Sequence, residues 1–254
     1  MKKLFFATHN LDLGGIETAL VTLVNYLSEK GYDITIALEK KEGVFLGRLS
    51  KEIKVVEYNT NNNKNVILRK ICNLYNRLKF IIKYKNKFDF SASFATYSLA
   101  SSFMARTASQ NSALWCHADY LTVYQGNKEE VKSFFKNVTC EEFKHIVFVS
   151  KEGTNSFIEI FPELKDKVIT CNNLINGEDI IEKSKKSIIE ENIQELKKEE
   201  IPIFLNVGRH DEKQKKLTRI IEVSKKLKEE NLKFKVLFIG DGKDTKLYQE
   251  KVKE

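Results

Sequence analysis

The sequence predicts an α/β protein with one complete, doubly wound parallel sheet and the first part of a second domain of the same kind. Short apolar segments alternate with amphipathic helical segments along most of the chain. The apolar segments are hydrophobic on both faces, which is typical of parallel strands covered on both sides. A second strand–helix series begins after residue 200 and contains two strands, too few to bury the core of a domain. We therefore predict domains at 1–176 and 177–254, the second one incomplete.

The strands are predicted from apolar runs that polar or turn residues interrupt. In the first series they are Lys3–Thr8, Asp33–Leu38, Ile53–Tyr58, Phe88–Phe94, Ser112–Cys116, His145–Val149 and Lys167–Thr170. The second series adds strands within 201–209 and 233–242.

The helices are predicted from apolar residues that recur every three or four positions. They are Ile16–Lys30, Val66–Lys87, Ser98–Thr107, Lys128–Asn137 and Lys151–Ile160, followed by 215–230 and a helix that starts near Lys243. The charged segment 183–200 has few core positions, so we place the interdomain linker near Gly177–Glu200.

The composition is that of an ordinary globular protein, with 42% hydrophobic and 31% charged residues. No run reaches the roughly 18 apolar residues of a membrane span. The first apolar run stops at His9, which is too early for a signal peptide. The four cysteines are scattered without a CxxC pair, so we expect reduced thiols and no metal site.

The net charge of +8 indicates an anionic partner. The segment from Arg69 to Lys87 contains seven Lys or Arg residues and no acid. Ile67, Ile71, Leu74, Leu78 and Ile81 form an apolar stripe on the same predicted helix. The first interpretation is a core-facing stripe with a solvated basic back, and the second is contact with anionic lipid headgroups. Nucleic acid is less favoured, because no binding motif accompanies the charge.

A glycine pair stands at the start of the first helix, in LGGIETAL (13–20). A strand that turns at glycines into a helix presents free backbone N–H groups, and these favour an anion such as phosphate. Gly14 and Gly15 would let the backbone approach it closely. The pattern is neither GxGxxG nor GxxxxGK[ST], and a plain turn is the alternative.

The segment NVGRHDEKQKKL (206–217) repeats this arrangement in the second series. Arg209 leaves the predicted strand, and Lys215 is predicted at the start of the next helix. Two cations there suit a diphosphate, because Arg can bind two oxygens and Lys adds a compact charge. A solvated charged turn is the alternative.

Together, these segments resemble the retaining glycosyltransferases of family 4, which have the two-domain GT-B fold. The resemblance rests on residues 14–38, with the GG-x-E pattern that includes Glu17, on 146–157 with 167–176, and on 204–223. It covers nearly the whole chain. Two positions depart from the family pattern: Asn176 replaces an Asp, and Lys216 replaces the Gly of a Lys-Gly pair.

The resemblance implies a nucleotide-diphosphate sugar donor, retention at the anomeric carbon, and no required metal or other cofactor. Arg209 and Lys215 would be catalytic and neutralise the leaving diphosphate, and His117 would lie beside donor sugar and acceptor. The implied substrate-binding residues are Gly14, Gly15, Glu17, Asp119 and Asn173. The alternatives are structural: His117 as a cap of the next segment, and Asp119 as a helix N-cap or surface charge.

The expected function is transfer of a sugar to a lipid-linked saccharide in bacterial cell-surface polysaccharide (capsule-type) assembly. The protein would be cytoplasmic and peripheral at the inner face of the plasma membrane. The family's pair of glutamates in the second domain has no counterpart here, so we expect weak or no transfer by this chain unless another chain completes it. The alternatives are a non-catalytic, membrane-associated subunit that holds an acceptor or a partner, and, less favoured, a sugar-nucleotide epimerase, for which a carboxylate and histidine cluster is missing.

Overall fold

The computed structural model describes residues 1–59, 64–186, 194 and 200–253. The chain divides into two compact units, Met1–Glu178 and Asp179–Glu254, and each is described by itself. The division lies two residues from the predicted one.

The first unit contains a seven-stranded parallel sheet, which confirms the predicted fold class. Its strands are β1 (Lys3–Thr8), β2 (Asp33–Leu38), β3 (Lys54–Glu57), β4 (Phe90–Ser93), β5 (Ser112–Cys116), β6 (His145–Phe148) and β7 (Val168–Thr170). Their order is β3-β2-β1-β4-β5-β6-β7. The direction of winding reverses between β1 and β4, and ligands of open α/β sheets bind at the carboxyl ends of the strands at such a point.

The helices include all five that periodicity predicts for this unit, within three residues at each end. They are α1 (Gly15–Glu29), α2 (Val66–Tyr84), α3 (Leu99–Ala108), α4 (Tyr120–Val123), α5 (Lys128–Asn137) and α6 (Lys151–Ile160), with 3₁₀ turns at Val44–Arg48, Cys140–Glu142 and Pro162–Lys167. The next helix, α7 (Gly177–Ser184), includes the division between the two units. The one-turn α4 and the 3₁₀ turns were not predicted, because segments this short show no helical period.

Strand β1 is buried on both faces, as its continuous apolar run predicts. Phe6 packs with Leu20 and Val24 of α1 on one face. Phe5 packs on the other face with Phe80 of α2 and Met104 of α3. The sheet is therefore a rigid support for the loops that follow its strands.

The prediction that the apolar stripe of α2 faces the core is wrong for its greater part. Ile67, Ile71, Leu74 and Leu78 are exposed, and within α2, all of which is described, Phe80 is the buried residue. The Phe80 ring lies 6.0 Å from Phe5 and 5.5 Å from Tyr58, so aromatic residues attach the helix to the sheet. Periodicity shows that a helix has an apolar face, but not which neighbour covers it.

The second unit contains a two-stranded parallel sheet of β8 (Ile203–Val207) and β9 (Lys235–Ile239). Its helices are α8 (Glu212–Lys215), α9 (Thr218–Glu229) and α10 (Thr245–Lys251). Leu205 and Val207 in β8 are exposed, whereas Leu217, which precedes α9, and Tyr248 of α10 are buried. Within the predicted linker, Gly177–Glu200, residues 187–193 and 195–199 lie outside the described residues. Across the described part of the chain, no helix is long and apolar enough to cross a membrane.

Candidate functional site

The glycine pair lies at the carboxyl end of β1, beside the reversal of strand order. Gly14 is the extended N-cap of α1, with φ −168° and ψ 163°, and Gly15 is the first helical residue. A Cβ on Gly14 would overlap the carboxylate of Glu17, whereas a Cβ on Gly15 would meet nothing within 4 Å. The Glu17 carboxylate thus folds back over Gly14 and complements the positive end of the α1 dipole. Of the two glycines, Gly15 is therefore the one with open space beside its Cα atom.

The loop between β1 and α1 is fixed by backbone hydrogen bonds to the start of the 3₁₀ turn Val44–Arg48 and to the residue Glu42 before it. Leu11 is fully buried; its N–H donates to the Glu42 carbonyl, and its carbonyl accepts from the Phe45 N–H, both at 3.0 Å. Gly43 has φ +124°, and a Cβ there would stand 2.1 Å from the Leu11 carbonyl carbon. Gly43 is thus required by both its conformation and this close approach.

A buried carboxylate connects three strand ends next to this loop, and sequence reasoning missed it. Glu39, which follows β2, is 9% exposed. Its Oε2 lies 3.3 Å from Nδ1 of His9, which follows β1. Ser98 Oγ also donates to Glu39 Oε1 in a short hydrogen bond, and Ser101 Oγ does so at 3.2 Å. These contacts compensate the cost of burying the polar carboxyl group, and no local sequence pattern indicates that these residues meet.

His117 follows β5 at the same edge of the sheet. Its ring centroid lies 4.6 Å from that of Phe94. Burial lowers the pKa of His117 to about 4, although a backbone hydrogen bond at Phe94 opposes the shift. The imidazole is therefore neutral at physiological pH. Its Nε2 is buried and has no hydrogen-bond partner among the described residues.

Asp119, not His117, caps the helix that follows β5. The Leu121 N–H donates to Asp119 Oδ1 at 3.1 Å, and Thr122 Oγ1 donates to Oδ2 at 2.6 Å. This is the N-cap role that the sequence left open, and it engages both carboxylate oxygens. Asn173 is exposed in the segment after β7. The substrate-binding roles of Asp119 and Asn173 stay predictions.

In the second unit, Arg209 lies on the loop that follows β8. Two glycines in the loop that follows β9, Gly240 and Gly242, allow the two loops to pack closely against each other. The Gly208 N–H donates to the Ile239 carbonyl, and the His210 N–H to the Asp241 carbonyl, each at 2.9 Å. Gly240 has φ +147°, and a Cβ there would stand 1.9 Å from the Gly208 carbonyl oxygen. This approach continues the strand pairing beyond β8 and β9 and fixes the backbone beside Arg209.

Lys215 is the last residue of the one-turn helix α8, not the first residue of the next helix as predicted. Its Cε lies 3.8 Å from the position of a Cβ on Gly208, so the side chain extends back towards the end of β8. The structure thus brings Lys215 beside the residue that precedes Arg209, and both cations are exposed. Such a pair can bind a diphosphate.

Two further residues of this loop region were missed by sequence reasoning. Lys243 Nζ lies 3.3 Å from Asp211 Oδ2, so a third cation stands at the end of β9. His210 is 7% exposed, and its Nδ1 lies 2.9 Å from Thr245 Oγ1. The glycines at 240 and 242 were the available signal for a second loop at this edge.

Lys216 stands where the family that the sequence resembles has a glycine, and it has φ 49° and ψ 44°, a left-handed conformation that favours glycine. We expect Lys216→Gly to raise the free energy of unfolding by about 0.5–1 kcal/mol, because it removes the Cβ strain but makes the unfolded chain more flexible. Urea unfolding followed by circular dichroism measures this change. Lys213→Gly, within α8, is the control and should destabilise; a less stable Lys216→Gly variant would contradict the prediction.

A surface cavity of about 360 Å³ lies elsewhere, between α2 and α3, and its lining includes Arg77, Ser102 and Arg106. None of the predicted site residues lines it. In the described part of the chain, no three His, Cys, Asp or Glu residues form a group that could hold a metal ion.

The sheet order of the first unit and the second parallel βα series together give the chain a GT-B-like α/β fold. Comparison with solved structures agrees. The chain is similar to Anabaena Alr3699/HepE in complex with UDP-glucose, at 15% identity and a TM-score of 0.71, covering 100% of this chain and 66% of that one. It is similar to a glycosyltransferase from Rickettsia africae ESF-5, at 20% and 0.63, covering 99% and 64%.

It is also similar to WaaG, a glycosyltransferase involved in lipopolysaccharide biosynthesis, at 12% identity and a TM-score of 0.60, covering 98% of this chain and 66% of that one. The chain therefore spans slightly less than two thirds of the length of these three structures. No protein-family model matches the sequence, and no curated protein matches it. At these identities the similarity establishes the fold.

Proposed function

We propose that the chain is part of a retaining glycosyltransferase of family 4 that takes its sugar from a nucleotide-diphosphate sugar. The observation that supports this most is the pair of exposed cations, Arg209 and Lys215, at the end of β8, with the Lys215 side chain returning to Gly208. The GT-B neighbour bound to UDP-glucose supports the same class of donor.

In the proposed reaction, the bond between the anomeric carbon and the diphosphate oxygen breaks, and its electron pair leaves with the diphosphate. The acceptor hydroxyl oxygen bonds to the anomeric carbon from the same face, and its proton passes to the leaving phosphate. Arg209 and Lys215 stabilise the negative charge that develops on the diphosphate. These two cations supply the charge that a metal would otherwise supply, so we propose that no metal or other cofactor is required.

The first unit would supply the acceptor side and part of the donor contacts. The open surroundings of Gly15 leave room for a phosphate or sugar, and Gly14 with Glu17 would shape this loop. The free Nε2 of neutral His117 would form a polar contact, not act as a general base, and Asp119 and Asn173 would be lesser contacts.

We propose that the acceptor is a lipid-linked saccharide in bacterial cell-surface polysaccharide assembly, of the capsule type. The protein would act in the cytoplasm, peripherally at the inner face of the plasma membrane. Glycosyltransferase neighbours such as WaaG support the polysaccharide class, and the +8 charge supports an anionic surface.

The proposal is tested by titrating the protein with UDP and UDP-sugars and then adding a lipid-linked saccharide acceptor and labelled donor. We expect donor binding, with weak or no transfer by these 254 residues alone, because the family's two glutamates have no counterpart in them. Robust turnover would refute the expectation of weak activity. Failure to bind any nucleotide diphosphate would refute the proposed donor class.

The exposed apolar face of α2 also fits a second function, a non-catalytic, membrane-associated subunit that holds an acceptor or a partner chain. The two functions predict different effects of a substitution in the second unit. A glycosyltransferase loses donor affinity when Arg209 is replaced by Ala, whereas a non-catalytic subunit has no donor affinity to lose.

A further inference from the structure

Helix α2 presents an aliphatic face to solvent, on the side away from the sheet. At about 100° per residue, the centre of this apolar arc lies about 170° from Phe80, which attaches the helix to the sheet. Its central members, all of them exposed, are Ile67, Ile71, Leu74, Tyr75, Leu78 and Ile82. Ile67 is 70% exposed and Ile82 is 80% exposed. Contiguous apolar surface of this kind marks an interaction site.

Cations flank this arc on both margins. With Val66 placed at 0° on the same helical projection, the central apolar members span about 80–180°, and Lys70 at about 40° and Lys79 at about 220° lie on either side of them. No acidic residue occurs between Arg69 and Lys87. An apolar face with a cation on each side matches an anionic lipid surface, in which headgroups meet the cations and acyl chains meet the apolar residues.

The helix is also held firmly enough to present this face. The Asn65 side chain caps its first turn by accepting from the N–H groups of Ile67 and Leu68, at 3.0 and 3.3 Å. The Arg77 guanidinium lies 4.5 Å from the centroid of the Phe103 ring of α3. Arg77 lies at about 20° on the same projection, outside the span of the central apolar members, and the Asn65 cap is made to backbone N–H groups. The apolar side chains can therefore enter a headgroup layer without unfolding the helix.

We infer that α2 is the surface by which the protein lies on an anionic membrane leaflet, with its aliphatic face in the headgroup boundary and its axis parallel to the bilayer. The inference rests on the proposed function for the lipid-linked acceptor, to which this contact would give access. Vesicle binding requires neither donor nor turnover, so its failure is distinguishable from the failure of the transferase proposal.

The test is co-sedimentation of the full chain with vesicles of phosphatidylcholine alone and with about one third phosphatidylglycerol. We expect binding to the anionic vesicles that weakens as salt screens the charges. The variant Lys70→Gln/Lys79→Gln should lose about fivefold in affinity for each cation. The variant Ile71→Gln/Leu74→Gln/Leu78→Gln should abolish detectable binding, and because these side chains are exposed its circular dichroism spectrum should be unchanged.

A matched control replaces exposed residues of another helix, Val223→Gln/Lys225→Gln/Lys228→Gln on α9, and should keep the binding. Undiminished binding by the Ile71/Leu74/Leu78 variant would overturn the inference. So would a wild-type chain that does not bind vesicles but forms dimers that this variant dissociates, since the face would then bind a second copy.

Discussion

Arg209→Ala and Lys215→Ala are each expected to lower the transfer rate on the order of 100-fold. Both cations would stabilise the diphosphate charge that develops as the glycosidic bond breaks, and preorganised groups of this kind typically contribute that much. The measurement is the single-turnover rate with a labelled donor, or donor affinity by titration where turnover is too slow. Arg209→Lys should restore part of the loss, because it keeps the charge but not the two-oxygen contact.

The matched control is Lys228→Ala, which removes an exposed cation in the last turn of α9. It should leave both rate and donor affinity unchanged. If this control and Arg209→Ala lost donor affinity equally, the net positive charge of the protein, not the loop after β8, would attract the donor. Unchanged rate and affinity in Arg209→Ala would contradict its assigned role.

His117 is expected to make the first unit less stable in acid. Burial lowers its pKa from 6.5 to about 4, so between these values the unfolded chain binds the proton that the folded chain excludes. This stability contribution is complete above about pH 6.5 and decreases as the pH falls towards 4, by up to about 3 kcal/mol. Tryptophan fluorescence can follow the unfolding of this region, because the single tryptophan, Trp115, is close to His117. Its ring stacks on Phe94 with centroids 5.3 Å apart, and Phe94 in turn contacts His117.

Urea unfolding of wild type and His117→Gln at pH 7.0, 5.5 and 4.5 measures this effect. The variant should have the shallower dependence on pH. The control is His145→Gln, since His145 lies nearer the surface and burial lowers its pKa less severely. If His117→Gln and wild type lost the same stability between pH 7.0 and 4.5, His117 would not be the group responsible.

The strands and helices were predictable because local patterns specify them. The continuous apolar runs of β1 and β2 and the helical spacing of α5 and α6 gave bounds that the structure reproduces. The glycine pair and the Arg209 loop were predictable as strand-end features for the same reason. At Lys216, the sequence departs from the glycine of the family that it resembles, and the backbone there is left-handed. The glycine of that pattern therefore has a conformational reason.

Other features depend on residues that are distant in sequence. Glu39 is joined to His9 and Ser98 because β1, β2 and β4 end at one edge of the sheet, and no local pattern indicates that pairing. Asp119 caps a helix too short to show a period. The Lys215 side chain returns to Gly208 because α8 is a single turn that ends in a left-handed residue.

The sequence by itself determined the α/β class, the alternation of elements and the positions of the glycine pair and the Arg209 loop after their strands, because each depends on neighbours along the chain. Only the tertiary structure decided which face of α2 meets the sheet and which polar groups meet at the strand ends. The physical reason is that an amphipathic pattern defines a surface, whereas the partner that buries it is chosen by the packing of aromatic residues such as Phe5, Tyr58 and Phe80 from three separate elements.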